Sequence, residues 1–128
     1  MRLYHFCNER DVKSIMGTGL KLGKLVVPSY SNLAGFVIYD DWQWLTLDPD
    51  PKAQTWATKN LIGYSRTQWR LTVEIPKKYE KRLFDREGIR AQHRRADELF
   101  RKFEGCENWR VYHGQIPKSW IVAAEKVE

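Results

Sequence analysis

His5 is the first residue in the chain whose type and setting suit chemistry. It lies in Leu3-Tyr4-His5-Phe6, a run that reads as a short strand, ahead of a helix that carries Ser14-Ile15-Met16 and ends near Gly19-Leu20. An imidazole held on a strand can give a directional hydrogen bond to a hydroxyl without changing its charge. The alternative reading is a half-buried histidine satisfied by the backbone. Trp44 and Thr46 form a second candidate pair, because residues two apart on a strand share a face. The indole would act by stacking and the hydroxyl by hydrogen bonding, although the same residues serve equally as a core ring and an edge position. Arg66 and Arg70 are candidates for phosphate or target binding, or else ordinary surface cations.

Much chemistry is argued against. There is no glycine-rich phosphate loop, no Gly-x-Ser-x-Gly, no histidine pair four apart and no Cys-x-x-Cys, so P-loop chemistry and metal-dependent hydrolysis find no foothold and no metal is expected. Cys7 and Cys106 fit neither a disulfide framework nor a zinc site, and reduced thiols in a cytoplasmic setting are expected. Residues Met1 to Phe6 lack the apolar core of a signal peptide, and no run reaches the roughly 18 apolar residues of a membrane span. Lys and Arg outnumber Asp and Glu by 22 to 16, a surplus that favours anionic partners such as nucleic acid, nucleotide phosphates or acidic proteins. Much of that charge lies between Lys77 and Lys102, where a solvated helix face would look the same.

The elements that must position these residues can be read in order. Residues 2–6 form a strand, Asn8 caps a helix with Val12, Ile15 and Met16 at helical spacing, and Gly17 or Gly19 ends it. Leu20 and Leu22 are expected to anchor the chain beyond it. Residues 25–39 mix strand signals with a loop around Ser29, Ser31 and Asn32, which suits a binding loop. Phe36 to Tyr39 or Trp42 to Leu47 supplies the second major strand. Asp48-Pro49-Asp50-Pro51 stops it and starts a helix whose buried face is Ala53, Trp56 and Ala57. Residues 67–75 alternate as a half-buried strand closed by Pro76. A basic helical region follows, clearest from Glu87 to Phe103 with an apolar stripe of Leu99, Phe100 and Phe103, and Gly105 ends it. Trp109 to His113 and Ile121 to Val127 are the last strands, joined by a turn through Ile116-Pro117. This order holds too few crossover helices for a doubly wound parallel sheet. It predicts an α+β fold of mixed, mainly antiparallel sheets with a few helices around a central cleft, in one domain over residues 1–128. A chain of this length buries roughly two-thirds of its unfolded surface and needs no staple.

Three segments carry a resemblance. Leu3 to Leu20 resembles the opening of DarT-type and related ADP-ribosyltransferases, in which a Tyr-His-Phe-Thr strand leads into a helix ending in Gly-Leu. Trp44-Leu45-Thr46-Leu47-Asp48-Pro49, leading to Trp56-Ala57, is similar to the second core strand and following helix of that superfamily. Glu107 ahead of Trp109-Arg110-Val111-Tyr112, then Gly114-Gln115-Ile116-Pro117 and Trp120-Ile121, is similar to its closing segment. Cys7 stands where the family usually has threonine, and residues 60–104 carry no signature of it. The resemblance implies an enzyme that cleaves the nicotinamide–ribose bond of NAD and passes ADP-ribose to a nucleic acid or protein acceptor. It further implies that His5 contacts a ribose of NAD and that Trp44 or Thr46 borders the nicotinamide; beside these, Tyr4 and Arg70 are candidate residues for holding the dinucleotide. Glu107, with Glu104 as a nearby competitor, would orient the ribose and stabilise the positive charge that develops as nicotinamide departs. The competing expectation is a non-catalytic module of the same fold, or a basic protein that stacks single-stranded nucleic acid on exposed aromatics. Which side Glu107 faces discriminates between turnover and binding alone.

Overall fold

The computed structural model describes residues 1–28, 35–58, 65–101 and 103–128. Among the described residues there are eight strands and four short α-helices. The strands are β1 (Arg2–Cys7), β2 (Lys24–Pro28), β3 (Phe36–Asp40), β4 (Trp42–Thr46), β5 (Trp69–Glu74), β6 (Leu83–Phe84), β7 (Trp109–His113) and β8 (Ile121–Lys126). The helices are α1 (Glu9–Thr18), α2 (Thr55–Thr58), α3 (Arg86–Gln92) and α4 (Asp97–Phe100). Six strands pair antiparallel in the order β6-β7-β4-β1-β5-β8, and β2 with β3 forms a separate antiparallel pair. This is an α+β fold with a mainly antiparallel sheet, as the element order predicts.

Alternation along the strands creates two cores. Leu3, Leu45, Leu71 and Val73 point to one face, where they pack with Leu20, Ile116 and, from α1, Val12 and Ile15. Trp42, Trp109 and Val111 point to the other, against Leu25 and Val27 of β2, Ile89 of α3 and Phe100 of α4. Both layers bury large apolar side chains at about 25 cal/mol per Å2 of surface removed from water, so the sheet is held from both sides.

Local chemistry explains where α1 stands. The Asn8 side chain accepts from the Asp11 N–H, and Glu9 and Asp11 put negative charge in the first turn. Gly19, at φ 88°, ends the helix, and its amide donates to the Ile15 carbonyl. A Cβ on Gly19 would lie 2.3 Å from the Ile116 carbonyl oxygen, so the position also requires the absence of a side chain.

Three expectations are corrected. The basic stretch after Pro76 is not one helix: Lys77–Arg82 is a 3-10 segment, Leu83 and Phe84 pair with Tyr112 and Val111, and α3 and α4 follow separately. An open strand edge at β7 wins over helix propensity there, and Asp85 then caps a new helix by accepting from the Gly88 N–H. The side chain of Leu99, assigned to the apolar stripe, lies outside the described residues, as do Ser29, Ser31 and Asn32. Leu22 is no anchor, being 88% exposed. Leu20 does anchor the chain, its side chain buried in the core and its backbone bridged to Ile116, and the Gly23 N–H adds a bond to Gln43 Oε1. After Pro51 the helix is broken into a 3-10 turn, Pro51–Ala53, and α2, with Gln54 between them.

Two glycines in α1 give opposite expectations. Gly19→Ala should destabilise the fold by on the order of 1–3 kcal/mol, because both φ and the carbonyl of Ile116 oppose a side chain. Gly17→Ala meets nothing within 4 Å and should stabilise by about 0.5–1 kcal/mol. Urea denaturation of the two variants checks the pair. Equal effects of one sign would contradict this account of the helix end.

Candidate functional site

The sheet is weakest between its two central strands. β1 and β5 pair along six residues from Arg2 to Cys7, whereas β1 and β4 share the single pair Tyr4 with Thr46. Beyond it, residues 4–8 of β1 and its exit and residues 43–46 of β4 line one cavity of about 870 Å3. Residues of α1, the strap from Gly19 to Lys24, and Trp56, Phe103 and Trp109 add to the lining. That volume lies within the usual range of small-ligand sites, and a lining of aromatic rings with a few polar groups is the usual composition.

His5 bridges the split. Its Nδ1 lies 2.9 Å from the carbonyl oxygen of Trp44. A carbonyl can only accept, so Nδ1 carries the hydrogen and Nε2 of the neutral ring carries a lone pair. Burial lowers the His5 pKa, opposed by the bond to Trp44 and by the negative charge of Asp11, so the neutral form is favoured. Nε2 has no partner among the described residues and is not sealed from solvent. The half-buried ring lines the cavity, with Nε2 as its unused acceptor among the described residues.

Trp44 is pinned from several directions. Its indole N–H donates to the Lys24 carbonyl at 2.9 Å, and its ring meets Trp109 edge-on at 5.7 Å and Phe100 at 5.5 Å. Thr46 is buried, and its hydroxyl accepts from the Asp48 N–H, which stabilises the turn after β4. Gln43 is buried as well: Oε1 accepts from Gly23 and Nε2 donates to the Gly114 carbonyl at 3.1 Å, tying the strap to the sheet.

Of the residues singled out in the sequence, Tyr4, His5, Trp44 and Thr46 all line the cavity. Arg70 does not line it. Its guanidinium donates to the Pro49 carbonyl and to Glu125, and stands 5.9 Å from the Tyr4 ring centroid. Glu107 also stands outside the lining, exposed in the 3-10 turn Cys106–Asn108 two residues before Trp109, which does line it. Glu104 is exposed too. Cys7 lines the cavity, and burial pushes its thiol up to about 11, so it remains protonated at neutral pH. Both cysteines are free.

Sequence reasoning did not connect Gln43, Gln54, Phe103 or Trp109 with the site. Nothing in a strand pattern separates a buried glutamine that ties two segments from one that faces solvent. Comparison with protein-family models, curated proteins and solved structures finds no match. No helix among the described residues is long and apolar enough to cross a membrane.

The state of His5 has a pH signature. Its folded pKa lies below the ordinary value of about 6.5, so the unfolded chain takes up the proton first as pH falls. The stability contributed by the neutral ring is complete above about pH 6.5 and is lost as pH drops through the folded pKa. Denaturation curves between about pH 8 and pH 5 should show this loss, and His5→Gln should remove that component. A wild-type profile matching that of the variant would mean that His5 is not held neutral.

Proposed function

We propose that this protein is an ADP-ribosyltransferase-like enzyme that holds NAD in the split of its sheet and transfers ADP-ribose to a macromolecular acceptor, nucleic acid or protein. The observation that carries the reading is His5, a lining residue of the cleft whose Nδ1 is fixed by the Trp44 carbonyl and whose Nε2 acceptor has no partner among the described residues. A ribose hydroxyl is a donor of the right kind for that lone pair, and the flat nicotinamide suits the indole rings that border it. The three segments that resemble the superfamily supply β1 with α1, β4, and β7 with the turn beyond it. The first two line the cleft, and the third reaches it through Trp109.

Turnover assigns Glu107 the stabilisation of the oxocarbenium-like centre formed as nicotinamide leaves. Its exposed carboxylate, outside the cavity lining, favours a second reading in which the same cleft binds NAD without cleaving it. Arg70 belongs to neither reading as a cleft residue, given its bonds to Pro49 and Glu125.

Calorimetry with NAD and label transfer from NAD to nucleic acids and lysate separate the readings. The transferase reading expects Glu107→Ala to lower transfer by about 100-fold or more while NAD affinity stays nearly constant. His5→Ala should weaken NAD binding by roughly tenfold, the worth of one buried hydrogen bond. Binding without transfer by the wild type would establish the second reading, and absence of NAD binding would end both.

A further inference from the structure

Arg66 is a cation in the cleft to which no carboxylate among the described residues gives a counter-charge. It follows the segment after α2, outside the three stretches that carry the resemblance, and it lines the cavity. Its guanidinium carbon stands 4.8 Å from the centroid of the Trp56 ring. Among the described residues its one hydrogen bond is long, from Nη2 to the Trp56 carbonyl at 3.5 Å, and the buried Nε has no partner.

The platform beneath it is fixed. Trp56 Nε1 donates to Gln54 Oε1, and Gln54, 2% exposed, donates from Nε2 to the carbonyls of both Asp48 and Asp50. With the guanidinium over this ring and Nη2 spending one hydrogen on the Trp56 carbonyl, the remaining Nη1 and Nη2 hydrogens are a pair of donors of the kind that meets two oxygens of a phosphate. Phe103 and Trp109 also line the cavity, and in such apolar surroundings an unpaired charge is costly until an anion meets it.

We infer that Arg66, stacked on Trp56, is the anchor for the diphosphate of the ligand, so that a dinucleotide lies with its anionic linker at the Trp56 end of the cleft and a ribose at His5. The identity of the dinucleotide as NAD rests on the reading above. The anion site itself does not.

The test uses calorimetry of the full chain with three probes: inorganic pyrophosphate, NAD and adenosine. Arg66→Gln should lose about tenfold to a hundredfold in affinity for pyrophosphate and NAD, and Arg66→Lys should keep only part of it, because lysine retains charge without the fork. Any affinity for adenosine should be the same in wild type and variants. Matching thermal melting midpoints for wild type and Arg66→Gln would show that the variant folds. Pyrophosphate and NAD bound equally by wild type and Arg66→Gln would overturn the inference, as would a wild type that binds neither. Arg66-dependent pyrophosphate binding without NAD binding would keep the anion site and remove NAD as the ligand.

Discussion

The cleft depends on one hydrogen bond made where the sheet would otherwise continue. Adjacent antiparallel strands normally satisfy each other's backbone groups, and a buried carbonyl left without a donor costs about 1–3 kcal/mol. Between β1 and β4 the ladder stops at Tyr4 and Thr46, and the Trp44 carbonyl takes its hydrogen from the His5 side chain instead. The two halves of the sheet thus stay joined while a cavity opens between them. The same bond settles the tautomer of His5 and leaves Nε2 as its unused acceptor among the described residues.

The remaining architecture holds that opening in shape. Gln43 ties the strap over the cleft to β4 and to the turn at Gly114, and Gly19 lets α1 end against Ile116. Trp44 of β4, Phe103 and Trp109 of β7 line the cavity, and Phe100 of α4 packs behind Trp44 and Trp109, with ring centroids 5.5–5.7 Å apart across the layer. Arg86 is not among the residues that line the cavity: it grips Asp97 with two hydrogen bonds, holding α3 to α4. Of the basic residues between 77 and 101, Arg86, Arg90 and Arg95 act in local ion pairs, as on a solvated face.

Much of this was legible in the sequence where local rules and tertiary demands agree. The Asn8 cap, the end of α1 at Gly19, the alternation of β5 and the stop after β4 follow from side-chain chemistry within a few residues. The placement of Tyr4, His5, Trp44 and Thr46 around one cavity follows from β1 and β4 being neighbours. What could not be read is tertiary. Leu83 and Phe84 are a strand only because β7 offers an edge, and Leu22 is exposed because Leu20 and the backbone carry the strap. The exposed stance of Glu107 and the ion pair that draws Arg70 away depend on packing between distant segments. Arg66 depends on a Trp–Gln chain with no periodic signal at all.

The central claim is that the His5 ring is neutral, protonated on Nδ1, and offers Nε2 to NAD. Nitrogen-15 NMR of the histidine side chains at neutral pH reads this directly, with and without NAD. The account predicts a protonated-type signal for Nδ1 and a lone-pair signal for Nε2, and only the Nε2 signal should move toward the hydrogen-bonded range when NAD is added. The opposite tautomer, or an Nε2 signal that NAD leaves in place, would contradict it.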